Sequence, residues 1–525
     1  MFLDGRQLRL AQTMLVVFPS FMLFAYKEVG VGGLLSFESW TKTFPEIDSS
    51  GTTGDADSNH SVIQGVFVSS FTLGALVGAL SCSALGDWIG RRKTIFVGGV
   101  LTLIGEIISC LSFTLAQLTV ARIIIGASVG ILSTIVPVWQ SECSPALNRG
   151  RHVVVDSIFI TSAYAFTAWI NFGFSQIEHS SVSWRVPLAI PCAFSIVLLG
   201  AVFPFPESPR WLVRVGRREE ASRALARARG DAVDQVVIQQ EVVAIELSIE
   251  ETARTATTMR DIFTMKDGKL FYRFMLCMGL QFSLQMTGAS LISTYVGQIF
   301  QHNLGLAPDL SRLLAACALT WKFLASFVAF FTIDRFGRRK LFMFTGVGLT
   351  LCMVGLAITN SFPNTNKAAA AFGVVFIFLF NFFFPIGFLG TTFLYCTEVA
   401  PTRLRVAMTS ISTANHWLWN FMVQMITPIA LVRIGYRYYI VYATIAFCFP
   451  IMVFIFYPET MGQRLEKLEC LFDRDISIFE TVKYANRMAK WPENYDSDDE
   501  VVEKEQMEHI EDSDEASKGH QKVEA

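Results

Sequence analysis

Charged residues are scarce in this chain of 525 residues: only 17% are Asp, Glu, Lys or Arg, and they cluster between long apolar runs. The mean hydropathy is +0.43. A soluble chain of this length would carry more charge, so the composition indicates a membrane protein with several spans. The net charge is only −2, which gives no reason to expect nucleic acid as a partner.

Patterns that bind metals or cofactors are also missing. The 10 cysteines are scattered, none forms a Cys-x-x-Cys pair, and several, such as Cys277 and Cys352, lie inside apolar runs. We interpret them as small buried hydrophobic residues and expect neither disulfides nor a metal. No nucleotide-binding glycine loop and no nucleophile–base constellation occurs, so we expect neither a cofactor nor enzymatic activity.

Three short motifs occur twice, in the same order and half a chain apart. The offsets between copies are 247, 256 and 252 residues: Asp-x-x-Gly-Arg-Arg-Lys at 87–93 and 334–340, Glu-x-x-Pro-x-x-x-Arg at 142–149 and 398–405, and Pro-Glu-Ser at 206–208 followed by Pro-Glu-Thr at 458–460. One match could be chance, but three at nearly one offset indicate a duplicated half. A duplicated, membrane-embedded half is typical of transporters.

Twelve apolar runs are long enough to cross a bilayer as helices. They predict an all-α membrane protein with twelve transmembrane helices in two pseudo-symmetric six-helix bundles. The predicted spans are 10–35, 62–83, 94–113, 119–140, 152–175, 185–204, 271–300, 311–332, 341–360, 368–396, 406–432 and 437–457.

These spans divide the chain into five segments. We expect a cytoplasmic N-terminus at 1–9, an N-terminal bundle at 10–204, a cytoplasmic helical linker at 205–270, a C-terminal bundle at 271–457 and a cytoplasmic tail at 458–525. From about residue 490 the tail is acidic and poor in apolar residues, which predicts disorder.

Basic residues follow the even-numbered spans, so the positive-inside rule predicts that both termini are cytoplasmic. No cleavable signal peptide is expected, and the first span then serves as the insertion signal. On this topology Asn59, in an Asn-x-Ser sequon, faces outside and is a candidate for glycosylation, although sequons also occur by chance. We expect a multi-pass protein of the plasma membrane, monomeric as a functional unit, with the lipid bilayer and a small-molecule substrate as its partners.

Several motifs resemble those of one transporter family. The Asp-x-x-Gly-Arg-Arg loops after spans 2 and 8 resemble the signature loop of the major facilitator superfamily. Pro-Glu-Ser-Pro-Arg-Trp-Leu at 206–212 and Pro-Glu-Thr-x-Gly at 458–462 are similar to sugar porter signatures, and 24–35 resembles the first helix of fungal hexose transporters. The resemblance covers about residues 20–475. It implies transport by alternating access, in which one bundle rocks against the other around a site near the midplane.

Polar residues inside spans are candidates for the substrate site, because they are costly there without a function. Gln281 and Gln285 lie one helical turn apart and share a face. An amide both donates and accepts, which suits neutral ligands rich in hydroxyl groups. The resemblance implies that these glutamines hold sugar hydroxyls; the alternative is that they join neighbouring helices.

Other positions of that site depart from the family's pattern. Ser290, Ser157, Phe393 and His416 stand where the resemblance implies amide or indole groups, and Trp417 follows His416. Each change removes a hydrogen bond, worth roughly 0.5–1.5 kcal/mol. We therefore expect a changed ligand, namely another sugar, a less polar polyol or a different small organic solute.

The charges of the first span also depart from the pattern. Proton-coupled members carry an Asp facing the Arg of span 4, whereas this chain has Lys27 facing Arg122. Two buried cations need a carboxylate nearby. Of the candidates Glu28, Glu106 and Asp156, we expect Asp156 to supply it; alternatively Lys27 extends toward an aqueous cavity. Loss of the Asp favours facilitated diffusion over proton symport, unless Glu28 or Asp156 carries the proton.

The repeated motifs place arginines and carboxylates at the cytoplasmic helix ends, where they can form bidentate pairs. Such pairs predict a latch that ties the two halves together while the transporter faces outward. Anchoring of loop ends at lipid headgroups is the alternative. The candidate latch residues are Asp87, Arg91, Arg92, Glu142, Arg149, Glu207, Arg210, Asp334, Arg338, Arg339, Glu398, Arg405 and Glu459.

Two other functions share this architecture. A nutrient sensor that does not transport would show the same motifs, and so would a transporter or exporter of a quinate-like acid or a secondary metabolite. The sequence leaves the substrate, the direction of flux and proton coupling open.

Overall fold

The computed structural model describes residues 5–47, 55–143, 149–177, 180–230, 235–254, 269–363, 365–401, 404–461, 468, 471–472 and 476–488. Helices supply the regular structure of these residues. The tail expected to be disordered from about 490 lies outside them.

The first bundle contains six long helices. They are α1 (Gly5–Leu34), α2 (Asp55–Ile89), α3 (Arg91–Cys110), α4 (Leu115–Cys143), α5 (Arg149–Ser175) and α6 (Val182–Ala201). A short helix, Glu38–Thr43, follows α1.

Three shorter helices follow in the predicted linker: α7 (Pro209–Arg214), α8 (Arg218–Arg229) and α9 (Gln235–Arg254). Trp211, Leu212 and Leu225 form a small apolar core among them. This core gives the linker a packed structure of its own.

The second bundle repeats the arrangement of the first. Its helices are α10 (Leu270–Asn303), α11 (Pro308–Phe336), α12 (Arg338–Thr359), α13 (Lys367–Val399), α14 (Arg405–Arg433) and α15 (Arg437–Phe456). A last helix, α16 (Ile478–Met488), packs against α15.

The twelve-helix prediction is confirmed. Within the described residues, ten of the long helices are apolar enough and long enough to cross a membrane. The other two, α5 with 27 residues and α14 with 29, reach about 40 Å at 1.5 Å per residue, which also spans a bilayer.

Glycine allows α2 and α4 to pack backbone to backbone. A Cβ atom on Gly126 would overlap the carbonyl oxygen of Phe71, and one on Gly78 would overlap that of Ala127. Small residues at the contact let two transmembrane helices approach closely, where dispersion replaces the hydrophobic effect that lipid does not provide. The glycine-rich first half is therefore explained by helix packing.

Hydrogen bonds join the two bundles in the middle of the molecule and at the end away from the repeated motifs. Trp169 of α5 donates to Thr320 of α11 at 2.9 Å. At that far end, Arg312 of α11 donates to the carbonyl oxygen of Ser36 at 2.9 Å. Gly32 of α1 lies directly against the backbone carbonyl of Thr294 in α10, with no room for a side chain. The bundles are thus closed on each other at the end opposite the motifs.

Gly126→Ala tests the close contact between α2 and α4. The added methyl group has no space, and overpacking a tight interface costs about 1–3 kcal/mol. We expect Gly126→Ala to lower the Tm of the detergent-solubilised protein by several degrees. Gly173→Ala is the matched control, because a Cβ atom there meets nothing within 4 Å. Equal Tm values for both variants would contradict this account of the packing.

Candidate functional site

Helix α10 is interrupted near its middle, and the interruption builds a polar site. The helix runs from Leu270 to Met286 and resumes at Ala289. Between them Gly288 adopts φ = 96°, a left-handed conformation that favours glycine. The break turns the chain so that Ser290 Oγ lies 2.8 Å from Gln285 Oε1. A broken helix with polar side chains is typical of a transporter's binding site.

Helix α14 supplies the other side of this site. Gln285 Nε2 donates to the ring nitrogen Nε2 of His416 at 3.2 Å. Asn420, one turn further along, places its Oδ1 2.9 Å from Ser290 Oγ. The four side chains form one buried hydrogen-bonded group, which we call the polar cluster: Gln285, Ser290, His416 and Asn420.

Aromatic rings border the polar cluster. The ring of Phe393 lies 5.4 Å from that of His416, and the indole of Trp417 lies 5.3 Å from it. Trp417 also makes edge contacts with Phe24 of α1 at 5.4 Å and Phe71 of α2 at 6.0 Å. The indole therefore fills the seam between the two bundles beside the site.

Besides Phe393 and Trp417, which border the polar cluster, two of the expected substrate residues lie outside it. Gln281 is fully buried one turn before Gln285 and lies against the thiol of Cys396. Ser157 is buried on α5. It lies closer than the polar cluster does to the motif end, which is the end of the molecule that carries the repeated motifs. Their predicted contact with substrate stays a prediction.

The expected pairing of Lys27 with Asp156 is wrong. Lys27 Nζ lies 3.5 Å from Glu106 Oε1 of α3 and donates to the carbonyl oxygen of Leu188 at 3.2 Å. Asp156 lies eight residues before Tyr164 on α5, and Tyr164 stands opposite the neighbouring Glu28. Eight residues of helix are about 12 Å, so Asp156 is too far along the helix axis to reach Lys27. It hydrogen-bonds Gln140 instead.

Arg122 and Lys27 do face one region, as expected. Both line a small cavity of about 10 Å³, roughly the space of one water molecule. Arg122 donates to the carbonyl oxygen of Val68 at 2.8 Å. Its guanidinium also lies 5.2 Å from the ring of Phe67 and 5.3 Å from that of Phe71, in cation–π geometry. These contacts, together with the ion pair of Lys27, let two cations share a buried region.

Glu28 is buried where the bundles meet. It accepts hydrogen bonds from Tyr164 at 2.6 Å and from Asn420 at 2.8 Å. Because Asn420 also contacts Ser290, the carboxylate is linked directly to the polar cluster. Lys322 of α11 lies nearby, with its ammonium 4.8 Å from the ring of Tyr164.

The first copy of the repeated motifs forms a network at the end of the N-terminal bundle. Arg91 donates to both carboxylate oxygens of Glu142, at 2.9 and 3.1 Å, and to Asp87 at 3.2 Å. Glu207 accepts the backbone N–H groups of Arg91 and Arg92 at the first turn of α3. A carboxylate at this position satisfies free N–H groups and complements the helix dipole.

The second copy builds the same network in the C-terminal bundle. Arg338 donates to Glu398 at 2.9 Å, and Glu459 accepts the backbone N–H groups of Arg338 and Arg339 at 2.9 and 3.1 Å. Gly337 precedes this helix with φ = 87°, and a Cβ atom on it would lie 2.5 Å from Glu459 Oε2. The glycine of the motif is thus required by the close approach of the carboxylate.

The ion pairs of Arg91, Arg92 and Arg338 do not form the expected tie between the halves. Arg91 and Arg338 each reach a carboxylate on a neighbouring helix of their own bundle, and Arg92 pairs with Glu207 in the loop that follows α6. In the linker, Arg214 pairs with Asp87 at 2.9 Å, while the expected Arg210 is half-buried one turn before it. The side chains of Arg149, Asp334 and Arg405 lie outside the described residues. A latch across the halves stays a prediction for another conformation.

Asn59 is exposed near the start of α2. Its exposure is compatible with glycosylation, which stays a prediction.

Sequence reasoning missed three residues of the site: Tyr164, Asn420 and Lys322. The signal was present for two of them. Asn420 follows His416 by four residues and therefore shares its helix face, and Lys322 is a lone charge inside an apolar run. Tyr164 carried no comparable signal, because tyrosine is common in membrane helices.

Two six-helix bundles that enclose a buried polar site define a membrane transporter of the major facilitator fold. A model of the family described as "Sugar (and other) transporter" matches residues 13–472. The chain belongs to this family.

Individual relatives agree with this assignment. The chain is 32% identical to the sugar transporter STL1 of Saccharomyces cerevisiae, over 90% of this chain and 82% of that protein. It is 32% identical to the high-affinity fructose transporter ght6 of Schizosaccharomyces pombe, over 86% and 85%. Among solved structures, the proton:xylose symporter XylE, known from E. coli, superposes with a TM-score of 0.74 at 22% identity, over 88% of this chain and 99% of that one. The structural likeness shows the shared fold.

Arg91 and Glu142 provide a test of the motif network. Arg91→Gln leaves Glu142 buried without its cation, and breaking a buried pair costs about 3–5 kcal/mol. We expect a clearly lower Tm for Arg91→Gln, and a Tm for the double variant Arg91→Gln/Glu142→Gln that exceeds the additive expectation. Arg217→Gln, at an exposed ion pair, is the control and should change little. Additive single effects would show that the pair does not act as a unit.

Proposed function

We propose that this protein carries a small neutral solute rich in hydroxyl groups, a sugar or a polyol, across the membrane by alternating access. The observation that supports this most directly is the polar cluster, which lies at the break of α10 beside the seam between the bundles. Relatives named as a sugar transporter and a fructose transporter support the same substrate class.

The chemistry of the polar cluster suits such a ligand. Amide, hydroxyl and imidazole groups can each donate and accept, so they can exchange their mutual hydrogen bonds for bonds to a ligand's hydroxyl groups. Phe393 and Trp417 offer aromatic surface to the C–H face of a sugar. Ser290 and His416, which stand where the resemblance implies amides, change the outline of the site, which favours a ligand other than glucose.

The membrane arrangement follows from the same proposal. The basic motif ends of both bundles face the cytoplasm by the positive-inside rule, which puts both termini there and α7–α9 at the cytoplasmic surface. The end of the bundles that carries the Arg312–Ser36 contact then faces outward. We propose the plasma membrane as its location and the monomer as its functional unit.

Uptake by a host that lacks its own sugar transporters tests the proposal. We expect saturable uptake of at least one of a panel of hexoses, pentoses, disaccharides, polyols, inositol and quinate. Uptake of quinate alone would replace the neutral substrate by an acid, and no saturable uptake with normal surface expression would favour a sensor.

Gln285→Ala tests the site itself. Removing its amide breaks bonds to Ser290 and His416 and removes a ligand partner, and one such bond is worth about 0.5–1.5 kcal/mol. We expect the KM for the transported solute to rise about tenfold. Gln240→Ala, at an exposed position of α9, is the control and should leave KM unchanged. An unchanged KM for Gln285→Ala would place the substrate elsewhere.

A further inference from the structure

The carboxylate of Glu28 accepts hydrogen bonds from residues of both bundles. Its side chain is only 5% exposed. Tyr164, which donates to Oε2, belongs to the same bundle, while Asn420, which donates to Oε1, belongs to the other. Both partners are hydrogen-bond donors, which suits an ionised carboxylate. The environment of this charge therefore depends on how the bundles are placed.

Lys322 brings a positive charge to the same place from the C-terminal bundle. Its side chain is 1% exposed, and Nζ donates to Ser293 at 2.7 Å. The ammonium lies 4.8 Å from the ring of Tyr164 and 4.6 Å from that of Phe384. Tyr164 thus contacts both charges, and the two interact electrostatically. Glu28 is the acid whose charge acts on this ammonium, although the two groups do not form a direct ion pair in the described part of the structure.

The neighbouring charged groups have partners of their own. Lys27, next to Glu28 on α1, pairs with Glu106 of α3. Arg122 of α4 is held by Val68 and two phenylalanine rings, and His416 of α14 is hydrogen-bonded to Gln285. Asp156 of α5 lies further toward the motif end. Glu28 and Lys322 therefore influence each other across the seam, at a distance longer than that of an ion pair.

The substrate site is connected to this pair through one side chain. Asn420 donates to Glu28, while its Oδ1 lies 2.9 Å from Ser290 Oγ and accepts from Gln424 at 2.9 Å. A ligand that draws Ser290 or Gln285 into new hydrogen bonds must shift Asn420. Such a shift changes the donor that stabilises the carboxylate, so the charge on Glu28 and the occupancy of the site are linked.

We propose that Glu28 binds one proton when the bundles move apart and releases it when Asn420 and Lys322 close on it again, so that transport is coupled to protons. The step is the addition of one proton from water to the carboxylate, which gives the neutral acid; no electrons move. Separation removes Asn420 and Lys322 but leaves Tyr164, and a buried carboxylate without a counter-charge is stabilised by protonation. This inference rests on the proposed function and assigns its driving force.

Two measurements on the purified full-length protein in liposomes separate coupling from transport. Counterflow of radiolabelled D-fructose, D-xylose and sorbitol, each assayed alone, needs no proton gradient and reports alternating access. Accumulation of the same probes under an imposed inward proton gradient, with and without an uncoupler, reports coupling. The variants are Glu28→Gln, which cannot titrate, Glu28→Asp, which can, and the control Glu219→Gln, which changes an exposed acid on α8.

We expect the unaltered protein and Glu219→Gln to show counterflow and uncoupler-sensitive accumulation. Glu28→Gln should keep counterflow within a few-fold and lose accumulation, and Glu28→Asp should restore part of it. Counterflow by the unaltered protein without gradient-driven accumulation overturns the inference and leaves the proposed function intact, as does accumulation by Glu28→Gln. Loss of counterflow in both Glu28 variants would show a purely structural role and also overturn it. Absence of counterflow in the unaltered protein with every probe would instead contradict the proposed function.

Discussion

The structure depends on one constraint: a charge inside an apolar helix bundle must find a partner there. Removing an ion from water costs several kcal/mol even after relaxation, and only close opposite charges or well-placed hydrogen bonds offset that cost. Lys27 meets this requirement through Glu106, and Glu28 does so through Tyr164, Asn420 and Lys322. The same requirement explains the ion pair between Arg91 and Glu142 at the motif end.

The repeated motifs satisfy this constraint in the same way in both halves. In each bundle a carboxylate of the Pro-Glu loop accepts the first N–H groups of a helix, and an arginine of that helix binds a second carboxylate. The glycine before each helix allows the carboxylate to approach. Because these networks close within each half of the molecule, they brace one end of each bundle without opposing movement of one bundle relative to the other. Rocking of one bundle against the other then concentrates motion at the seam.

The architecture was predictable because it depends on features that are local in sequence. Long apolar runs specify spans wherever they pack, and a motif repeated at one offset specifies two similar halves. The glutamine and histidine of the site were predictable for a related reason, since polar groups in spans are costly and therefore noticeable. The partner of Lys27 was not predictable in this way. Choosing between Glu106 and Asp156 requires the relative heights of α1, α3 and α5 along their axes, which tertiary packing alone decides. Asn420 and Lys322 were noticeable as polar groups in spans, but their contact with the surroundings of Glu28 joins different bundles and depends on tertiary packing.

The ion pair of Lys27 with Glu106 bears on the driving force of transport. Lys27 and Glu106 both belong to the N-terminal bundle, so rocking of the bundles leaves the distance between them unchanged. An ion pair whose two members move together has the same interaction energy whichever side of the transporter is open. Glu28 differs in this respect, because two of the groups that stabilise its charge, Asn420 and Lys322, belong to the opposite bundle. The energy of its charged form must therefore change with the position of the bundles. Lys27 and its partner thus offer no means of coupling, whereas Glu28, one residue further along the same helix, has the contacts that such coupling requires.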